Sequence, residues 1–480
     1  MLFSRPSSVP VVLLLAAAAF PCTAAAQRAD TVRLSIEDVV VRAVRQADVA
    51  QTAALQLDIT EAQLDIARAS ALPSLRLASG YTYAPKSARA QVAGRNFNQR
   101  NTYSVAATFN QPFFQGGRVF SGIRAASRLR AAAQQVEADA RTTAAIEAQR
   151  AYLAVLLNDR LVDIQRANVQ LASDRVAQVQ RLQTGGQAAR YDVLRARVER
   201  ANAEPLVLQA ESDRTIALLE LKVLLRIPLD QPLQLTTRID TAAVRTVVET
   251  IVPDTIDPLV AAEARPSVRA AELSAAARHD AISVARADLL PTLSAFVTGG
   301  YQAFPDNGFP TTFGRVDNGV QNGGFFSDLT MGVSIGWNLF DGLRTKANID
   351  LARAQSNLAD LQLTTVRQTV ALEIARAQAE LIRARSFYAA RQQTAAEARE
   401  TFTLASLRFT RGVGTQLDIS DAQLAQLTAE TNEARAAFDL HLAAAELARS
   451  LGRPVPLPPT VPIPLRTTST TDVRDPIASR

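Results

Sequence analysis

The sequence predicts a chain of long α-helical hairpins that carries membrane-type β-strands and is built twice in tandem. Three observations point to this class. Four landmarks recur in one order at nearly one spacing, two helical stretches run far past globular length, and four short segments alternate in polarity.

The duplication comes first because it sets the plan. Ala67 through Leu75, reading ARASALPSL, returns as Ala285 through Leu293, ARADLLPTL, 218 positions later. Phe114-Gln115-Gly116-Gly117-Arg118 returns as Phe340-Asp341-Gly342-Leu343-Arg344, and Tyr191-Asp192-Val193 as Leu417-Asp418-Ile419, both 226 positions later. Leu225-Arg226-Ile227-Pro228 matches Leu451-Gly452-Arg453-Pro454. A repeat of this kind decides the architecture before any local reading does. The expected division is a first repeat over 27–230, a Pro-bearing linker over 231–257 and a second repeat over 258–452. A Pro-rich tail over 453–480 cannot continue a helix and is expected to be extended.

The ends and the composition narrow the class. Arg5, an apolar run from Val9 to Phe20 and the small-residue step Ala24-Ala25-Ala26 form the pattern of a secretory signal peptide over residues 1–26. Cys22, the one cysteine, falls inside it after Phe20 and Pro21, poor surroundings for lipid attachment. The exported part then has no disulfide and no thiolate metal site. After Gln27 no apolar run reaches the length of a transmembrane helix. Arginines are spread among acids along helical faces, so the net charge of +6 does not point to nucleic acid. His279 and His441 are the only histidines, a separated pair unsuited to holding a metal. None of the three lysines, Lys86, Lys222 and Lys346, follows a glycine, which excludes a phosphate-binding loop. No cofactor is expected.

Each repeat should form a helix, two strands and a helical hairpin. Nothing breaks the helical pattern from Gly117 to about Gln183 or from Leu343 to about Thr410. Some 66 residues at the α-helical rise make about 100 Å, the length of a coiled-coil array. The apolar stripe is narrow, with Ile146, Leu153, Leu157, Ile164, Leu171 and Val179 three, four or seven apart in most steps. Glycine-bearing turns at Gly185-Gly186 and Gly412-Val413-Gly414 reverse the chain, so the hairpins run over about 117–225 and 342–451. Pro205 should kink the first returning helix, where the second repeat has Thr431.

The strands are expected at about 74–84, 101–113, 291–303 and 327–340. In the last, Leu329, Met331, Val333, Ile335, Trp337 and Leu339 point one way, and Thr330, Gly332, Ser334, Gly336 and Asn338 the other. This alternation passes straight through Gly332-Val333-Ser334-Ile335-Gly336, a G-x-S-x-G match that would otherwise suggest a nucleophile elbow with His441 downstream. Ser334 is then a small residue on the wet face of a strand, not a catalytic residue. The other segments alternate likewise, more loosely near Phe296, which falls on the inner side. Tyr81, Tyr83, Tyr103 and Tyr301 gather at one set of strand ends, and Phe113, Phe114, Trp337 and Phe340 at the other, like the two aromatic girdles of a membrane barrel. A half-buried sheet in a soluble protein is the competing reading.

Four strands cannot close, and an open edge in hydrocarbon strands backbone polar groups, so other copies must complete a barrel. Two copies give eight strands and a filled interior; three give twelve and a wet lumen. Small inner residues such as Thr108, Ser334 and Gly336 favour the wet case.

On Ala285 through Leu293, the Phe-x-Gly turns at Phe114 and Phe340, and FTRGVGTQLDISDAQL from Phe409 to Leu424, the sequence resembles the TolC family of outer-membrane efflux channels. The resemblance implies a homotrimer, with a twelve-stranded barrel in outer-membrane lipid continuing into a twelve-helix barrel across the periplasm. It implies an exit duct without catalysis, serving a periplasmic adaptor and an inner-membrane pump or ABC transporter. Small-molecule efflux, metal efflux and type I protein secretion all use such a duct; a purely structural periplasmic coiled coil is the alternative of another class. Acids lining the family's periplasmic aperture match Asp418 and Asp421, although Thr415-x-x-Asp418 is also a helix-capping pattern. The family's aspartate latch matches Asp192, while Phe409 and Gly414 occupy its two partner positions and cannot donate from a side chain; Arg411 or Arg190 would have to substitute. Gly185, Gly186, Arg411, Gly412, Val413 and Gly414 match the tips that meet the adaptor, although such glycines also simply end helices.

Overall fold

The computed structural model describes residues 32–85, 100–239, 257–305, 309–310, 312–313, 324–454 and 460–462. The expected signal peptide with Cys22, most of the two loops between paired strands, most of the linker and most of the tail lie outside the described residues.

Local sequence dictates the helices. α1 (Ile36–Gln46) starts from a capping box in which the Ser35 hydroxyl accepts from the Asp38 amide at 3.2 Å. It leads into α2 (Asp48–Ala69). The first hairpin is α3 (Arg118–Thr184) and α4 (Arg190–Leu224); a single helix runs through Pro205. Two short helices, α5 (Pro258–Ala262) and α6 (Pro266–Arg286), each begin with proline at the first helical position, where its missing N–H costs nothing. The second hairpin is α7 (Arg344–Thr410) and α8 (Gln416–Ser450). The long helices are both 67 residues and the returning helices both 35, so the duplication preserves length to the residue.

The strands are β1 (Val32–Leu34), β2 (Ser74–Tyr83), β3 (Asn101–Gln115), β4 (Leu233–Leu235), β5 (Thr237–Ile239), β6 (Thr292–Ala303), β7 (Thr312–Phe313), β8 (Gly324–Gly336) and β9 (Thr460–Pro462). One sheet has the order β2-β3-β6-β8-β7, with β7 pairing parallel only at the start of β8. The four long strands are antiparallel. Phe109 stands opposite both Leu75 and Val297, and Val297 opposite Met331, so the apolar residues form one continuous face. Thr108 and Thr298 share a hydrogen bond of 3.0 Å on the other face, where Phe296 lies over Gly332. Thus the expected alternation holds, including the inward Phe296.

Two expected boundaries move. The fourth strand starts earlier and ends at Gly336, so Trp337 to Phe340 lie beyond it. The matching stretch of β3, Gln111 to Gln115, is held as strand by β6, whereas Trp337 to Phe340 have no neighbouring strand in a single chain. The described part of the tail beyond the second repeat is extended, as expected, where β9 pairs antiparallel with β5 just after the first repeat.

Each repeat packs its own core midway along its hairpin. Ile36, Val39, Tyr152, Leu221 and Leu225 form the first, and Val268, Ile374, Leu381, Leu440 and Leu447 the second. Burying such side chains stabilises by about 1.5–3 kcal/mol each. Elsewhere alanine dominates the buried helical positions, which lets the long helices approach closely. No helix among the described residues is long and apolar enough to cross a membrane.

Candidate functional site at the hairpin ends

The hairpin ends farthest from the sheet are two copies of one turn. In the first, the Gly185 amide donates to Arg181 O at 3.1 Å and the Gln187 amide to Leu182 O at 2.8 Å, with Gly186 at φ +75°. In the second, the Arg411 amide donates to Leu407 O at 3.1 Å and the Val413 amide to Arg408 O at 3.0 Å, with Gly412 at φ +77°. These bonds use up carbonyls that a helix end leaves orphaned. Gly185, Gly186, Arg411, Gly412 and Val413 are exposed at the extreme tips, and Gly414 is half-buried against Phe409 and Arg408.

The capping role of the aspartates is explicit. Asp192 accepts from the Ala189 amide at 3.1 Å, and Asp418 accepts from the Thr415 amide at 2.9 Å. The Asp418 amide donates in return to the Thr415 hydroxyl at 3.2 Å. The backbone and side-chain hydrogen bonds with Thr415 hold the Asp418 carboxyl below its ordinary range, so it is charged at neutral pH. Asp421 is exposed one helical turn further on, on the same side of α8. Arg195, the counterpart of Asp421 in the first repeat, has its guanidinium 3.2 Å from Glu199, so its charge is met within its own helix.

Sequence reasoning missed the contacts that join the two hairpins. Arg175 of α3, only 7% exposed, donates to the Ser420 hydroxyl of α8 at 3.1 Å. Ser420 donates to Glu199 of α4 at 3.0 Å, and Arg175 stands 3.5 Å from the same carboxylate. Burial lowers the Arg175 pKa and the Glu199 charge opposes that shift. Gln423 of α8 reaches Asn168 of α3 at 2.7 Å. Asp192 bonds within its own turn, and among the described residues Ser420 and Gln423 tie the second hairpin to the first. One signal was present: Arg175 interrupts the apolar stripe midway between Leu171 and Val179.

At the sheet end, Tyr81 and Tyr103 rings lie 4.7 Å apart. Val105 stands opposite Tyr301, so that residue shares their face, and Tyr83 is exposed on the same edge strand. Phe113, Phe114, Trp337 and Phe340 are exposed at the opposite ends of the strands, where the Trp337 indole donates to Leu289 O at 3.1 Å. Ser334 lies within β8 opposite Ser294, without the sharp turn a nucleophile needs, and His441 is buried in α8.

A duplicated hairpin body with an open, one-face-apolar sheet is the geometry the comparisons with known proteins meet. The family described as "Outer membrane efflux protein" matches residues 24–225 and 259–453, one match per repeat. The chain belongs to the outer membrane efflux protein family. It is an outer-membrane protein, as the TolC-like resemblance implied. Among relatives, outer membrane protein OprJ of Pseudomonas aeruginosa is 30% identical over 202 residues, 42% of this chain and 39% of OprJ, so the match spans about two fifths of that protein. Among solved structures, CusC aligns over 87% of this chain and 92% of its own with a TM-score of 0.72 at 16% identity. VceC of Vibrio cholerae covers 88% and 97% with a TM-score of 0.69 at 19% identity. The MtrE channel of Neisseria gonorrhoeae, in an open state, covers 88% and 89% with a TM-score of 0.66 at 18% identity. At these identities the likeness concerns the fold of the family members.

Proposed function

We propose that three copies of the chain close one twelve-stranded barrel in the outer membrane and continue it as a helical tunnel across the periplasm. The assembly is an exit duct for small molecules passed on by an inner-membrane pump through a periplasmic adaptor. The observation that carries this reading is the sheet. Its outward face is apolar, its inner face is mostly polar or small apart from Phe296 and Phe326, and β2 and most of β8 leave ladder edges that cannot remain open in lipid. A purely structural coiled coil would account for the hairpins and leave this sheet without a purpose. Metal efflux and type I secretion would use the same duct, and the identity of the pump decides among them.

Within that assembly Asp418 and Asp421 form the acidic part of the periplasmic aperture, with Asp192 holding the cap of the facing hairpin. The exposed tips at Gly185-Gly186 and Arg411 to Gly414 receive the adaptor. Arg175, Glu199 and Ser420 latch the two hairpins in the narrow state. The test is single-channel conductance and reversal potential in a planar bilayer, comparing the native protein with Asp421→Ala and Asp418→Asn, which keeps the cap. Cation preference should fall in both variants. Unchanged selectivity in both removes the acids from the aperture.

A further inference from the structure

We propose that the inner wall of the sheet holds a binding site for aromatic anions, with the Arg76 guanidinium on one side, the Phe296 ring on the other and a polar floor of Thr108, Asn110 and Thr298 between them. The inference rests on the reading of a water-filled barrel, although all five residues belong to one chain.

Parity and register place these residues. Arg76 pairs with Thr108, and Thr108 with Thr298, in one row of the inner face. In the next row Ser74 pairs with Asn110, and Asn110 with Phe296. Residues two apart on a strand are separated by about 7 Å and neighbouring strands by about 5 Å, so Arg76 and Phe296 start about 10 Å apart across the wall and about 7 Å along it. The floor between them is low, because Thr108 and Thr298 are short and their hydroxyls bond each other at 3.0 Å. The ring is set into the wall. A Cβ on Gly332, which stands opposite Phe296, would lie 3.1 Å from the far end of that ring. The ring therefore leans from β6 over β8, where residue 332 has no side chain, and leaves the floor in front of it clear.

The two repeats part company where the site lies. Ala78 opposite Ala106 in the first repeat corresponds to Phe296 opposite Gly332 in the second, so a pair of small residues has become one large residue and one without a side chain. Arg76 opposite Thr108 corresponds to Ser294 opposite Ser334. The ladder itself needs neither change, since the same places are filled by small residues in the other repeat. Each repeat thus supplies the half of the site that the other lacks, the cation from β2 and the ring from β6.

The chemistry of the two halves selects the ligand. Arg76 is exposed. Among the described residues of the four long strands, the other charge on the inner face is Asp328, three strands away on β8, and it accepts from Gln302 at 3.4 Å. The guanidinium therefore faces the water of the lumen without a neighbouring acid, and its planar fork suits a carboxylate or sulfonate. The Asn110 carboxamide and the threonine hydroxyls can donate to oxygens that the fork leaves free. Phe296 adds an aromatic surface on which a second ring packs in an offset or edge-on arrangement. An inorganic anion uses only the arginine, and an organic cation is repelled by it. A molecule with an aromatic body and an acidic group uses both, and the gap left by the reach of Arg76 suits a bicyclic ring. Three copies in one barrel place three such sites around the passage, so that aromatic acids are held briefly on their way out.

The test is block of single-channel current in a planar bilayer by 2-naphthalenesulfonate, with cyclohexanesulfonate as the anion without an aromatic ring and 1-naphthylmethylammonium as the ring without an anion. In the native channel naphthalenesulfonate should halve the current at a concentration several-fold below that of cyclohexanesulfonate. Phe296→Leu should raise the naphthalenesulfonate concentration about two- to tenfold and leave cyclohexanesulfonate unmoved. Arg76→Gln should weaken block by both sulfonates and not by the ammonium. Arg76→Lys and Phe296→Tyr, which keep the charge and the ring, should keep the native pattern. Equal block by the two sulfonates in the native channel overturns the site and leaves the barrel standing, as does native-like block in both Arg76→Gln and Phe296→Leu. A purified protein that forms no channel overturns the duct reading and this proposal with it.

Discussion

The left-handed backbone positions show what the duplication preserves. Gly116 and Gly342 lie at φ +60° and +69°, and Gly186 and Gly412 at +75° and +77°. In the two remaining pairs glycine survives on one side only. Gly117 at +83° answers to Leu343 at +67°, and Gly452 at +65° to Arg226 at +51°. A side chain in that region costs about 1–2 kcal/mol, partly offset in the unfolded chain by the greater freedom of glycine. Leu343→Gly should therefore stabilise the protein by about 0.5–1 kcal/mol, read as a higher midpoint in thermal unfolding. His441 offers a pH test. It is 4% exposed, and desolvation lowers its pKa to about 4. The unfolded chain takes up a proton near pH 6.5 that the folded chain refuses until about pH 4. Stability from this group is thus complete above pH 6.5 and declines by about 3 kcal/mol as the pH falls to about 4. His441→Leu should remove that part of the slope in denaturant titrations across the window. An unchanged slope would mean that the histidine finds a proton acceptor when folded.

On the proposed duct reading, opening depends on the two helical hairpins. The two hairpins touch through Arg175 and Glu199 with Ser420, and through Asn168 with Gln423. Glu199→Gln keeps the shape and removes the charge that compensates the buried Arg175. The proposed latch should then loosen, with a several-fold rise in the open fraction of single-channel records. A record indistinguishable from the native one would place the latch elsewhere. Helices, turns and strands of this scale were legible in the sequence because each depends on local pattern: parity for β2 and β8, spacing for α3 and α7, glycine for the turns. The latch was not legible, since Arg175 and Ser420 stand 245 positions apart and meet only through packing of two hairpins. The expected strand to Phe340 failed for a related reason. Alternating polarity persists through Trp337 and Leu339, but a strand also needs a neighbour, and for that stretch the neighbour is absent from a single chain. The brief pairing of Thr460 to Pro462 with Thr237 to Ile239 was not legible either, because it depends on a distant segment.

At the scale of the molecule, two repeats in series make a sheet that is paired at the junction between repeats and open along most of its two outer long strands. The sheet's free edges, the exposed Leu55, Ile59 and Ile66 of α2, the exposed Leu351 and Leu358 of α7 and the exposed aromatics are surfaces that the proposed assembly in lipid would cover. Family membership and outer-membrane location fit this geometry. In the proposed barrel, Thr108, Thr298, Ser334 and Gly336 on the inner face are small groups that leave room for water once the sheet is curled. The most direct measurement of this account is the protein mass inside the purified detergent particle, by light scattering with the detergent contribution removed. Three chain masses are the predicted result. A particle holding one chain, folded and stable, would contradict it.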